Sequence, residues 1–212
     1  MMYKKVLVFV FFTMTPALVM AAGDGKIHAI YGKVWVNGKS ADKSTNIHFG
    51  DQVITAGLSR VTLSLDGSVY RIASSSKLTL PQGSENIALK FLYGAFSAVF
   101  RRRVQKTIYT NTAVLGVRGT GIHMSSRKQE TYLCTCYGDI DFVDALDESN
   151  QAHIHAAHHN AIVFKHDSRE IIGNQAMLDH VDEDLFALEA LADRTPPETF
   201  LAGQEFLNRL SL

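Results

Sequence analysis

Between residues 26 and 164 apolar side chains recur at every second position in short runs, and turn residues break those runs at close intervals. Successive side chains on a strand point to opposite faces, so this alternation predicts half-buried β-strands. Val61, Leu63 and Leu65 alternate with Thr62 and Ser64; Asp66-Gly67 then supplies a two-residue hairpin turn, and residues 69–72 return. Asn37-Gly38 is a second such turn, closing a strand over 33–36 that holds Trp35. Further strands are predicted over 77–80, 87–93, 95–100 and 107–110. Residues 131–137 and 140–143 read as a hairpin around Gly138-Asp139, and 162–165 as the last strand.

After Ser168 the period changes. Leu185, Leu188 and Leu191 are three apart, on one face of a helix, and Asp182-Glu183-Asp184 precede them. Asp182 suits the N-cap, with the following acids placed where the helix dipole favours negative charge. Thr195-Pro196-Pro197 predicts a stop near Arg194, and Phe200, Leu201, Phe206, Leu207 and Leu210 mark a second helix over 198–210. The predicted fold class is all-β, a β-sandwich or roll of short antiparallel strands, capped by two short C-terminal α-helices.

The N-terminus changes the picture by setting a compartment. Lys4 and Lys5 precede an apolar run over 6–12, and Val19-Met20-Ala21 offers a small-residue cleavage site. That is the layout of a secretory signal peptide over residues 1–21, and the run is short of the ~20 residues that span a bilayer. The expectation is a periplasmic protein divided into a β domain, residues 22–168, and an acidic helical appendage, residues 169–212. Charge is also segregated along the chain: residues 22–138 carry 15 Lys/Arg against 6 Asp/Glu, and residues 139–212 carry 4 against 15. Opposite signs favour packing of the acidic part on the basic one. Arg101-Arg102-Arg103 has the composition of a nucleic-acid patch, but export removes that partner. A solvated turn, or a contact with the acidic helices, is the better reading.

Two features carry candidate chemistry. Cys134 and Cys136 are two apart on a predicted strand, so both sulfurs project from one side with Tyr132. They read as a strained disulfide, as two thiolates offered to a metal, or as half-buried cysteines without a task. Six of the nine histidines lie beyond residue 138, and His158, His159 and His180 are the candidates to complete a site with the sulfurs. Zinc or copper suits that donor set, although the spacing matches no standard zinc motif. The second feature is Arg118, in the β-branched, glycine-broken run over 110–122. A charge among residues that look buried implies a fixed partner. An anion site on Arg118 and the glycine amides is the alternative.

The run Val117-Arg118-Gly119-Thr120 resembles the signature of FecR-type periplasmic domains. Gly32-Lys33-Val34, Asn37-Gly38, the stretch from Gly50-Asp51 to Thr55, and Asp66-Gly67-Ser68 precede it in that family's order. The likeness covers about residues 25–138. It implies Asp51 as the partner of Arg118 in a buried bidentate pair. It also implies a non-catalytic module that recognises an unidentified envelope protein or ligand, in a signalling or scaffolding lineage. Some FecR-like secreted proteins are similar further on, at Cys134-Thr135-Cys136, His158-His159, Asp179-His180-Val181-Asp182, Leu188-Glu189-Ala190-Leu191 and Arg194-Thr195-Pro196-Pro197. A metal-binding or metal-sensing protein built on Cys134, Cys136 and the histidines is the alternative function.

Enzyme signals fail. Ser74-x-x-Lys77 with Tyr109-x-Asn111 mimics penicillin-recognising serine enzymes, but the stretch reads as strand and the third motif is missing. There is no G-x-S-x-G, phosphate-binding glycine loop or H-E-x-x-H. Thiol–disulfide chemistry at Cys134 and Cys136 is a remote third reading, since it needs an exposed, acidified cysteine.

Overall fold

The computed structural model describes residues 25–83 and 87–210, which form fifteen strands and then two helices. The expected signal peptide lies outside the described residues. The first strands are β1 (Gly25–Tyr31), β2 (Val34–Val36), β3 (Lys39–Ser40), β4 (Asn46–Ile47) and β5 (Gln52–Thr55). There follow β6 (Arg60–Leu65), β7 (Ser68–Ile72), β8 (Lys77–Thr79), β9 (Ile87–Val99) and β10 (Gln105–Tyr109). The last are β11 (Ala113–Ser126), β12 (Glu130–Asp144), β13 (Gln151–Ala156), β14 (Asn160–Lys165) and β15 (Ile171–Gln175), then α1 (Asp182–Leu191) and α2 (Glu198–Leu210).

All strands join one hydrogen-bonded sheet that folds over on itself. Three long strands run through both layers. The N-terminal half of β9 pairs with β8 and β10, its C-terminal half with β7 and β11. The halves of β11 pair with β10 and then β9, and those of β12 with β14 and then β13. One layer is therefore β15-β14-β12-β11-β9-β7-β6-β1-β4, and the other β13-β12-β11-β10-β9-β8-β5-β2-β3. Pairing is antiparallel except between β9 and β10.

The side-chain parity of each long strand slips by one as it crosses. In β9 the core takes Leu89 and Phe91, then Phe96 and Ala98; in β11 it takes Leu115 and Val117, then Ile122 and Met124. In β12 it takes Leu133, then Ile140 and Phe142. At each slip stands a glycine with a left-handed backbone: Gly94 (φ 97°), Gly119 (φ 56°) and Gly138 (φ 92°). A non-glycine residue resists that conformation, and the bend it makes is what lets a strand pass from one layer to the other with its apolar side still facing inward. This corrects two expectations. Gly138-Asp139 is a bend within one continuous strand rather than a hairpin turn, and 87–93 and 95–100 are one strand. The sheet also continues past residue 165 into β15.

On the outer face of the first layer sits a smaller apolar cluster. Val69, Val99, Tyr132, Cys134, Cys136, Tyr137, Ala161 and Val163 meet Leu185, Leu188 and Phe200 from the helices. The acidic part thus packs on the basic part, and Arg71–Asp184 and Arg127–Asp179 are ion pairs across the join. Arg102 donates to the Thr195 carbonyl at 2.8 Å, so the triple-arginine turn does reach the helical segment. Leu191, expected on the packed face of α1, is 37% exposed.

Candidate metal centre

The alternation of β12 decides where the sulfurs point. Leu133 faces the main core, so Cys134 and Cys136 face the opposite side, toward the helices, and both are buried free thiols. Neighbouring strands extend the row: Ser97 on β9 stands opposite His123 on β11, and His123 opposite Cys134. The β13–β14 turn brings in His159, whose backbone N–H donates to the Cys136 carbonyl at 2.9 Å. The segment between β15 and α1 brings in His180, which is 8% exposed.

Four donor atoms converge, those of Cys134, Cys136, His159 and His180, all within 4.8 Å of one another. Cys134 Sγ lies 3.3 Å from His159 Nδ1, and Cys136 Sγ 3.8 Å from His180 Nε2. A tetrahedral zinc ion, ~2.3 Å from sulfur and ~2.0 Å from nitrogen, would hold a sulfur and a nitrogen about 3.5 Å apart. The two contacts already have the length of tetrahedral edges.

The second nitrogen of each ring fixes what the first can do. His180 Nδ1 lies 2.7 Å from the Leu178 carbonyl, which only accepts, so that nitrogen carries the proton. Its Nε2 then offers a lone pair to the sulfur side. His159 Nε2 lies 2.7 Å from Asp182 Oδ1, which holds a proton on that nitrogen and leaves Nδ1 for the sulfurs. A carboxylate or carbonyl behind a histidine is the usual means of orienting a metal ligand and raising its basicity.

Charge in the cluster is set by its own members. A hydrogen bond from Cys136, then one from His159, hold the Cys134 thiol far below its ordinary range against the opposing effect of burial. Burial and the neighbouring Cys134 push Cys136 up, so the pair shares one proton. Burial pulls His159 down, but the Cys134 sulfur and Asp182 outweigh it and the ring is held above its ordinary value. A metal would displace those protons.

His158 departs from expectation. Its ring turns away from the sulfurs, packs on Phe200 at 4.5 Å and places Nε2 3.2 Å from Asp182 Oδ2. It belongs to a second group, His158, His159 and Asp182, which shares His159 with the first. Asp182 is likewise not the N-cap: Val181 holds that position, and Asp184 accepts its backbone N–H at 3.2 Å. Two residues of the site were not anticipated. Asp182 orients His159, and His123 stacks on His180 with ring centroids 4.4 Å apart and Nδ1 2.9 Å from Ser97 Oγ. Burial, then His180, lower the His123 pKa to about 4, so this ring is neutral. His153 and His155 stand apart on β13, paired with Asp141 and Asp139 at 2.7 and 2.8 Å.

The pair expected between Arg118 and Asp51 is also corrected. Val117 faces the core, so Arg118 faces outward and is exposed, in register between Gln105 and Asp139. Asp51 is buried, but its carboxylate accepts from Asn37 Nδ2 at 2.7 Å and the His48 backbone at 2.8 Å. The glycines beside Arg118 serve the bend: Gly119 makes it, and a Cβ on Gly121 would come within 2.8 Å of the Tyr137 ring and Leu185. Thr120 lies in the same strand. Buried carboxylates with arginine partners occur elsewhere, as Asp144 with Arg169 Nε at 2.6 Å and Glu189 with Arg194 Nε at 2.8 Å.

Comparison with known proteins places the fold. No family model matches the sequence, and no curated protein matches it. Among solved structures, two crystal structures of a "putative anti-sigma factor" from Parabacteroides distasonis match at TM-score 0.54 and 13% identity. The match covers 64% of this chain and 64% of that one. Such a likeness is one of fold. No helix among the described residues is long and apolar enough to cross a membrane.

Proposed function

We propose that this chain is a non-catalytic envelope module that binds a soft, thiophilic metal ion, zinc or copper, through Cys134, Cys136, His159 and His180. The observation that carries the reading is the convergence of two thiols and two imidazoles from three separate stretches, each imidazole with its free nitrogen turned inward. Two sulfurs and two nitrogens in a tetrahedral set are the donor chemistry of zinc, and thiolates equally suit cuprous copper. Burial of both sulfurs argues against thiol–disulfide exchange with a protein substrate, which needs access to the attacked atom.

The context proposed is the periplasm, reached by a cleaved signal peptide, and a lineage similar to FecR domains. The shared fold with the chain named a "putative anti-sigma factor" supports a signalling role, in which ion binding would be the input and an envelope protein the recipient. The test is elemental analysis of tag-free protein purified from periplasm, beside Cys134→Ser and Cys136→Ser. One ion per chain in the wild type, lost in both variants with a lower Tm, is expected. Equal metal content and Tm in all three proteins would overturn the reading.

A further inference from the structure

We infer that the ion acts as a clasp, joining the C-terminal helices to the sheet they cover; this rests on the metal reading above. The ligands come from two sides of one seam. Cys134 and Cys136 belong to β12 and His159 to the turn before β14, whereas His180 belongs to the segment that leads into α1. Asp182, the first residue of α1, meets His159 from behind, so the helix start is tied to the same cluster.

The segment over 176–181 has little else to hold it. It has no regular secondary structure, and Met177, Leu178 and Val181 are 41%, 45% and 49% exposed, while His180 alone among its charged or large apolar members is buried. Its other ties are the His123 ring stacked on His180, Tyr132, whose hydroxyl donates to the Ala176 carbonyl at 3.0 Å and accepts from the Leu178 N–H at 3.1 Å, and the exposed Asp179–Arg127 pair. An exposed pair contributes little. The sheet meets His180 through the stacked His123 ring and a 3.8 Å sulfur–nitrogen approach from Cys136, and the second is weak until an ion replaces it with two coordinate bonds.

What lies under the seam gives the clasp its consequence. Leu185, Leu188 and Phe200 cover Val69, Val99, Tyr132 and Val163, an apolar face that would meet water if the helices lifted. A local opening that must first release the ion becomes rarer by the factor 1 + [ion]/Kd, about a hundredfold at ~100 times Kd. Openings of the second layer, in β2 and β5, release no ligand and stay as they were.

Hydrogen exchange of the full chain, reduced, with and without zinc, tests this, with bound metal measured in the same samples. Zinc should slow exchange over 176–205 by about ten- to a hundredfold and leave 34–36 and 52–55 unchanged. In His180→Gln the remaining three ligands should still take cobalt with a sulfur-to-metal absorption band, more weakly, while zinc no longer slows 176–205. Zinc bound one to one without slowing in the wild type overturns the clasp and leaves the metal reading standing. Slowing that survives in a metal-binding His180→Gln overturns the clasp as well. No bound zinc in the wild type overturns the metal reading and the clasp with it. If His180→Gln does not fold, the wild-type arms decide alone.

Discussion

At the scale of single residues, the buried charges stand apart from the predicted arginine. Glu189 is fully buried in α1, where it accepts from the Tyr137 hydroxyl and from Arg194. Arg194 in turn donates to the Phe100 carbonyl at 3.1 Å, which ties the end of β9 to the same pair. Glu189→Ala would strand a largely buried guanidinium, and a loss of about 3–5 kcal/mol in chemical denaturation is expected. Lys106 is a different case: it is 1% exposed, and its Nζ donates to the Arg101 carbonyl at 2.9 Å. Burial lowers its pKa to about 8. The unfolded chain therefore holds the proton more tightly, and stability contributed by this group rises with pH from about 8 toward its ordinary value near 10.5. Denaturation midpoints at pH 8 and pH 10 should rise more in the wild type than in Lys106→Met; equal slopes would count against it.

At the scale of elements, most strands and both helices are legible because alternation and turn chemistry are local. The slips of parity are legible too, in retrospect. Leu115 and Val117 are odd, Ile122 and Met124 even, and a strand with one buried face cannot keep both without a bend. That slip leaves Val117 inward and Arg118 on the outside. Gly138-Asp139 is harder, since a glycine before an aspartate reads the same in a hairpin as in a bend. Only the partners decide, and the halves of β12 pair with β14 and β13 rather than with each other. The metal cluster was half legible. A cysteine pair on one face follows from the period of two, but which of two adjacent histidines turns toward it depends on the β13–β14 turn. The glycines give a test at this scale. Gly119 has open space around its missing Cβ, so Gly119→Ala should cost only the left-handed backbone, about 1–2 kcal/mol. Gly121→Ala must displace Tyr137 or Leu185 and should cost more, with reduced exchange protection in α1. Equal losses by denaturation would contradict the close approach.

At the scale of the whole molecule, the segregated charge of the sequence becomes a join between an acidic helical segment and a more basic sheet. Removing residues 176–212 should leave the sheet assembled but uncover Val69, Val99, Tyr132 and Val163. Increased binding of an apolar dye and self-association on size exclusion are the expected outcomes. The three strands that run through both layers have a further effect on how the sheet comes apart. Neither layer can peel away while the other survives, because pulling one open tears the same backbones out of its neighbour. Melting of residues 25–175 should accordingly be a single all-or-none event, with calorimetric and van't Hoff enthalpies in agreement, however loosely the helices are attached.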